Sequence, residues 1–180
     1  GDTLYFTPVA FQAQSLNGAG FALTNDTMNI QVAARDGWSF AGMGLLERGD
    51  YLLLGAGSTA DVGGQIRVFD VANPLADLNA SISATAPFDL TGMPTHNWQA
   101  DATLDLTAWN DARALNVTIQ NLLLASTGVS PSLAFIEKKF VGLTPDMMAV
   151  TPVPEAETYA MMLAGLGLVG LAAARRRIAL

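Results

Sequence analysis

The feature of this sequence that most constrains its folding is an apolar run near the C-terminus that ends in a cluster of arginines. Residues 159–174 contain no charged side chain, and Arg175, Arg176 and Arg177 follow directly. A helix of this length extends about 24 Å, short of the roughly 30 Å of a bilayer core, but arginine side chains can reach the interface. Such a segment needs lipid or other protein copies around it, so residues 159–180 are predicted to form an appendage outside the main domain.

The apolar run also carries small residues that would allow close helix packing. We expect these small residues and the tyrosine that starts the run to contact a membrane or neighbouring helices. The residues are Tyr159, Ala160, Ala164, Gly167, Gly170 and Ala174. The positive-inside rule would keep the arginines on the cytoplasmic side. A buried helix of a soluble domain is the alternative reading, but such a helix is not expected to end in three arginines at the chain terminus.

A short linker that contains proline and acidic residues, residues 149–158, separates the apolar run from a main domain, residues 1–148. Its motif consists of Val153, Pro154, Glu155 and Ala156. The motif, the apolar helix and the terminal arginines, in this order, resemble the PEP-CTERM sorting signal of exosortase substrates, although Ala156 stands where that signal has proline. The three elements together cover about 27 residues.

The resemblance to PEP-CTERM proteins has several implications for location and partners. It implies export by a signal peptide, a membrane-associated precursor held by the C-terminal helix, and recognition by an exosortase-type sorting enzyme. The chain starts at Gly1 without a signal-like segment, so we expect an earlier signal peptide to have been removed. The expected destination is the outer surface or extracellular matrix of a Gram-negative bacterium, where such proteins are linked to exopolysaccharide, biofilm and floc formation.

The main domain alternates apolar and polar residues, as half-buried strands require. Frequent Gly and Pro interrupt the pattern, and no helical period persists. The sequence therefore predicts a mainly β fold of roughly eight to ten short strands, arranged as an antiparallel β-sandwich or jelly roll. A single C-terminal hydrophobic α-helix is expected to follow this domain.

Local patterns add detail to this prediction. Asn17-Gly18 predicts an early hairpin turn, and the alternating runs at 102–108 and 114–120 predict a second hairpin around Asn110-Asp111. Residues 72–78 are a helix candidate. Two separate strands are expected at 38–40 and 51–54, with Arg48-Gly49-Asp50 forming the turn before the second one.

Charge and residue types exclude several classes of function. Residues 1–153 hold 14 acidic and 6 basic side chains, so this part would be repelled by nucleic-acid phosphates. There is no cysteine, and His96 is the only histidine, so thiolate and multi-histidine metal sites cannot form. We expect no catalytic residue, no enzyme activity and no bound cofactor, although loop acids could form a Ca²⁺ site.

Two functions remain open at this level, together with a less favoured third. The first is a structural protein of the cell surface or matrix that self-associates into an oligomer or filament through strand edges or the C-terminal helix. The second is a lectin-like protein that binds exopolysaccharide, with Trp38, Trp98 and Trp109 as a sugar-stacking platform, although tryptophans in such folds are usually core residues. A secreted hydrolase would require His96 or paired aspartates to converge in one cleft.

Overall fold

The computed structural model describes residues 3–109, 111–150 and 160–168, and the chain divides into two compact units, residues 1–149 and 150–180. Ten strands and one turn of 3-10 helix, η1, lie within the described part of the first unit. In chain order they are β1 (Leu4–Phe6), β2 (Gln12–Leu16), β3 (Gly20–Ala33), β4 (Trp38–Leu54), β5 (Ser58–Asp70), β6 (Asp77–Ser81), β7 (Ser83–Ala84), β8 (His96–Asp105), η1 (Thr107–Trp109), β9 (Ala114–Thr127) and β10 (Leu133–Ala149). In the second unit, residues 160–168 form helix α1.

The strands form two antiparallel sheets. The larger sheet has the order β1-β10-β4-β8-β7, with β2 also paired to β10, and the smaller sheet has the order β3-β9-β5-β6. Strands β1 and β2 follow each other along the same side of β10, opposite residues 141–143 and 133–137 respectively. The prediction of a mainly β, antiparallel body followed by one helix is confirmed.

Alternation along the strands places one apolar face of each sheet in a common core. The odd-numbered residues of β9 face this core, and so do the odd-numbered residues of β4 from Met43 onward. Strand β10 of the larger sheet contacts both β9 and β5 of the smaller sheet. Full burial of one such aliphatic side chain stabilises the fold by about 1.5–3 kcal/mol. Among the largest fully buried core residues are Met43, Leu45, Leu53, Ile66, Leu115, Ile119, Leu123, Ile136 and Leu143.

A β-bulge in β10 changes which residues face the core. Lys138 pairs with Gly49 of β4, but Phe140 pairs with the adjacent Arg48, so Lys139 is an extra residue in the ladder. Before the bulge the even-numbered residues of β10 are buried, and after it Val141 and Leu143 are buried. The bulge therefore keeps an apolar face inward along a 17-residue strand while it breaks the simple two-residue period.

The prediction of separate strands at 38–40 and 51–54 is wrong, because β4 runs without interruption from Trp38 to Leu54. Arg48-Gly49-Asp50, expected as a turn, lies inside this strand. A Cβ on Gly49 would approach the carbonyl oxygen of Glu137 to 1.8 Å. Glycine is therefore required there by a close approach of two backbones rather than by a turn.

The predicted hairpin between 102–108 and 114–120 is also wrong. Strand β8 belongs to the larger sheet and β9 to the smaller one. The connection crosses between the sheets through η1, and backbone bonds from Leu106 N to Ala41 O and from Phe40 N to Ala112 O, both 2.9 Å, hold its two ends against β4. The chain does break between the two alternating runs, as predicted, although Asn110 itself lies outside the described residues. The strands on either side of this break have different partners.

Two further local predictions are corrected by the strand pairing. Asn17 and Gly18 do form a tight turn with φ values of 53° and 79°, but it joins β2 of one sheet to β3 of the other, so it is not a hairpin. The helix candidate at 72–78 is a short turn that leads into β6 at Asp77. Its backbone bonds run from Ala76 N to Asn73 O and from Asp70 N to Ala76 O.

Candidate functional site

Part of the predicted C-terminal site falls on helix α1, residues 160–168. Ala160, Ala164 and Gly167 lie on this helix at a spacing that places them on one face. All nine residues of α1 are exposed, including Met161, Leu163 and Leu168 at 65–75%. Among the described residues, no helix combines the length and the hydrophobicity needed to cross a bilayer.

The other residues predicted for this site lie outside the described part of the chain. They are the motif Val153, Pro154, Glu155 and Ala156, the helix positions Tyr159, Gly170 and Ala174, and the basic cluster Arg175, Arg176 and Arg177. Their roles in sorting, membrane contact or assembly therefore stay predictions from the sequence.

The three tryptophans proposed as a sugar platform are dispersed. Trp38 is 45% exposed at the start of β4, Trp109 is half-buried in η1, and Trp98 is 6% exposed within the core. Trp98 pairs with Gly49, which lies eleven residues after Trp38 on β4, roughly 35 Å along an extended strand. Trp38 and Trp98 therefore cannot stack together on one short oligosaccharide, and sugar binding by a single tryptophan stays a prediction.

Trp98 has a structural role that its burial explains. Its indole Nε1 donates a hydrogen bond of 3.0 Å to the carbonyl oxygen of Glu137, beside the bulge of β10. A Cβ on Gly49 would lie 2.8 Å from the same Nε1. The indole therefore passes over Gly49 and connects β8 to β10 across β4.

A cleft of about 540 Å³ opens where residues 85–88 run beside β8. Its aromatic lining consists of Tyr51, Phe88 and Trp98, and its charged and amide side chains are Arg48, Asp50, Asn97, Gln99 and Lys139. Phe88 meets the Tyr51 ring edge-on with 4.9 Å between centroids. Because Tyr51 and Trp98 are buried, Phe88 supplies most of the accessible aromatic surface of the cleft, beside its hydrogen-bonding groups.

The polar groups of this cleft are partly paired with each other. Arg48 Nε donates to Gln99 Oε1 at 3.1 Å, and Lys139 forms ion pairs with Asp50 and with Glu137. Hydrogen bonds to these two carboxylates raise the pKa of Lys139 above its usual value. Lys139 is therefore cationic at any physiological pH.

His96 lies against an aromatic ring, and its side chain has few polar neighbours among the described residues. Its ring packs against Tyr51 with 5.5 Å between centroids, and its Nε2 is buried without a hydrogen-bond partner among the described residues. In that part of the chain, no group of three or more His, Asp or Glu side chains lies close enough to hold a metal ion. A Ca²⁺ site in the loops stays a prediction from the sequence.

A buried polar cluster of Glu47, Lys138 and Asn121, which the sequence analysis missed, lies between the two sheets. These residues are 0%, 2% and 7% exposed. Lys138 Nζ donates to Glu47 Oε2 at 2.5 Å and to Asn121 Oδ1 at 2.7 Å. Glu47 is on β4 and Lys138 on β10 of the larger sheet, whereas Asn121 is on β9 of the smaller sheet.

Burial dominates the electrostatics of this cluster. Desolvation raises the pKa of the Glu47 carboxyl above its usual value, and the neighbouring Lys138 offsets part of the rise. Desolvation likewise lowers the pKa of Lys138, with partial compensation by Glu47. Both shifts move the two groups toward their neutral forms relative to the same groups in water.

The Lys138 end of the cluster lies next to a cavity and an aromatic ring. Nζ is 5.3 Å from the centroid of the Phe11 ring, and the backbone N of Lys138 donates to Phe11 O at 3.0 Å. A cavity of about 250 Å³, lined by residues 6–11 as well as by Asn121 and Lys138, borders the same groups.

A sequence signal for this cluster does exist. Each of the three polar residues occupies an inward position in an otherwise apolar alternation: Met43-Leu45-Glu47 on β4, Val117-Ile119-Asn121-Leu123 on β9 and Ala134-Ile136-Lys138 on β10. A charged residue at such a position is expected to have a partner, because unpaired buried charges are strongly disfavoured.

Comparison with solved structures finds only distant likeness. A chain from the structure of infectious bursal disease virus Gx strain has 10% identity and a TM-score of 0.35, and the match covers 93% of this chain and 50% of that one. The infectious bursal disease virus VP2 subviral particle has 9% identity and a TM-score of 0.36, and the match covers 91% of this chain and 47% of that one. Bacteriophage CBA120 tailspike protein 4 has 12% identity and a TM-score of 0.26, and the match covers 77% of this chain and 17% of that one.

The chain thus spans half or less of the length of these viral chains, and the TM-scores are too low to establish a shared fold. No curated protein has a significant sequence match to it. Residues 152–177, in contrast, match the family described as the PEP-CTERM protein-sorting motif. The C-terminal segment is therefore a PEP-CTERM sorting signal, which implies an exported protein that is recognised by exosortase-type sorting machinery.

Proposed function

We propose that this protein is a structural component of the cell surface or extracellular matrix of a Gram-negative bacterium. The sorting motif at residues 152–177 is the observation that carries the proposal. The two-sheet body, residues 1–149, is a separate compact unit, so it can be displayed as a folded domain after the C-terminal segment has been recognised. In this function the body acts through its surface and its mechanical integrity, and no reaction is assigned to it.

Sorting is tested by the C-terminus that the protein carries in its host. The full chain, including its export signal, is produced in a strain that has the exosortase and in a strain that lacks it. Mass spectrometry is expected to find chains that end near residues 153–156 in the first strain only, with the body in the extracellular fraction. An intact C-terminus and an unchanged location in both strains would contradict the proposal.

The contribution of the basic cluster is tested by replacing Arg175, Arg176 and Arg177 together with alanine. We expect the variant to keep its C-terminal segment, because loss of the charges removes the feature that orients the segment at the membrane. Substitution of the body residue Arg35 with alanine is the matched control and should leave processing unchanged.

Binding of exopolysaccharide is a second candidate function, and the cleft beside β8 is the observation that favours it. Aromatic surface next to amide and charged groups is a common arrangement for sugar recognition. Retention of the protein on exopolysaccharide from its host should fall when Gln99 and Lys139, both in the cleft lining, are replaced by alanine. Replacement of Trp38, outside the cleft lining, should not change retention, and equal retention of all variants would exclude the cleft.

A further inference from the structure

We propose that Lys138 and Asn121 are joined by an intramolecular isopeptide bond from Nζ to Cγ, with Glu47 as the residue that transfers the proton. The bond would connect β10 of the larger sheet to β9 of the smaller sheet through the core. Three observations support it: the hydrogen-bond distances among the three side chains, their burial, and the cavity beside them.

The reacting atoms are already close together. Nζ is 2.7 Å from Oδ1 of Asn121, and Cγ lies one carbonyl bond of about 1.23 Å further on. With these two lengths the separation of nitrogen and carbon is about 3.0–3.9 Å, depending on the angle at Oδ1, a range that includes the roughly 3–3.5 Å of a near-attack arrangement. Both partners are on strands of the folded core, so this proximity results from the fold itself and needs no external enzyme.

Burial provides the form of lysine that can react. An ammonium group has no lone pair, so the nucleophile must be the neutral amine. Desolvation lowers the pKa of Lys138 and raises that of Glu47, which favours the amine and the protonated carboxyl. A proton can move directly between them, because Oε2 is 2.5 Å from Nζ.

The atoms and electrons of the reaction balance without a cofactor. The Nζ lone pair forms a bond to Cγ, the bond from Cγ to Nδ2 breaks, and Nδ2 leaves with the electron pair of that bond. Protonated Glu47 delivers its proton to Nδ2 and takes one from Nζ, so ammonia is released and Glu47 ends in its starting protonation state. Nothing is oxidised or reduced, and no further reactant is consumed.

Two details fit this reaction better than a purely structural ion pair. Glu47 Oε1 is buried without a hydrogen-bond partner among the described residues, although a carboxylate retained only for charge pairing would be expected to have both oxygens satisfied. The cavity of about 250 Å³ lined by Asn121 and Lys138 provides space into which ammonia can leave. Buried ion pairs are also often no more stabilising than apolar residues of the same volume.

The test is proteolysis of the full chain followed by mass spectrometry. A protease that cuts after glutamate separates residues 48–137 from 138–155, unless Asn121 is bonded to Lys138. We expect a joined species with the mass of both fragments minus one ammonia. A succinimide at Asn121 would also lose ammonia, but it would leave the two fragments separate. Separate fragments from the folded wild-type protein would overturn the proposal.

Three variants complete the test. Lys138→Met should yield only separate fragments, which also shows that cleavage after Glu137 is complete. Glu47→Gln keeps the side-chain shape but cannot transfer the proton. The joined species, which in this variant contains residues 1–137 because the cleavage site at 47 is lost, should fall at least tenfold, and unchanged joining would overturn the role of Glu47. Lys139→Met, one residue away on the bulge, should join as the wild type does. The wild-type digest decides the existence of the bond even if a variant fails to fold.

Discussion

At the residue scale, the most consequential feature of this protein is a lysine in the core. Lys138 occupies an inward position on β10 that an aliphatic residue would ordinarily take, and Lys139 beside it is 53% exposed. Strand alternation explains this difference, because successive side chains of a strand point to opposite faces. The pair therefore offers a matched comparison of a buried and an exposed lysine in the same local backbone.

Lys138→Met should lower the free energy of unfolding by at least about 3–5 kcal/mol, because it leaves the buried Glu47 without its partner and also removes the proposed bond to Asn121. Lys139→Met removes only solvent-exposed ion pairs and should cost less than about 1 kcal/mol. Urea denaturation followed by tryptophan fluorescence measures both values. Equal, small effects of the two substitutions would show that Glu47 is stably neutral without help from Lys138.

At the scale of single elements, the bulge of β10 is held by contacts from β4, which lies next to it in the sheet, and from β8, which lies beyond β4. Gly49 of β4 allows the Glu137 carbonyl to approach, and the indole of Trp98 on β8 donates a hydrogen bond to that carbonyl. This arrangement explains why Arg48-Gly49-Asp50 is part of a strand. For Gly49 the sequence pattern indicated only a turn. The position is in fact constrained by the backbone of Glu137, which is almost ninety residues away in the sequence.

Gly49→Ala should destabilise the body by about 3 kcal/mol, because the new methyl group overlaps the backbone of β10. Gly44→Ala on the same strand is the control: its Cβ would lie 3.7 Å from the nearest atom, Thr144 O, and the change should stay within about 0.5 kcal/mol. The midpoint of thermal unfolding, measured by circular dichroism, distinguishes the two. A similar midpoint for both variants would mean that the strands can separate at the bulge without cost.

Trp98→Phe tests the second contact at the bulge. The variant keeps an aromatic ring in the core but leaves the Glu137 carbonyl without the indole hydrogen bond, which should cost about 1–3 kcal/mol. Trp38→Phe removes an indole that is 45% exposed and should change stability by about 0.5 kcal/mol or less. Both are measured by urea denaturation, and a larger effect at Trp38 would contradict the structural role given to Trp98.

At the same scale, alternation in the sequence predicts where many strands lie, because a half-buried strand has a two-residue period whatever its neighbours are. It does not show that residues 38–54 form one strand. It could not identify partners: the runs around Asn110-Asp111 have the pattern of a hairpin, yet β8 and β9 lie in different sheets. Pairing depends on contacts that are distant in sequence, and the inward Glu47, Asn121 and Lys138 became recognisable as a cluster only once the sheets were known.

At the scale of the whole molecule, the chain combines a body built for long-range cohesion with a C-terminal segment built for recognition. Adjacent strands of the sequence repeatedly belong to different sheets, so the two sheets cannot separate without opening several connections at once. A covalent bond between β9 and β10 would reinforce the same interface from inside the core. For the surface display that we propose, such cohesion would protect the domain against mechanical load and proteases.

Deleting residues 154–180 separates these two roles. Because residues 1–149 form their own compact unit, we expect the shortened chain to unfold at the same temperature as the full chain. The deletion also removes the exposed apolar side chains of α1, such as Met161 and Leu168. We therefore expect the shortened chain to be monomeric under conditions in which the full chain associates or needs detergent. Calorimetry and light scattering measure the two properties. If the shortened chain forms the same large assemblies, association must come from the body, and the edge strand β3, with Phe21 78% exposed, becomes the surface to mutate.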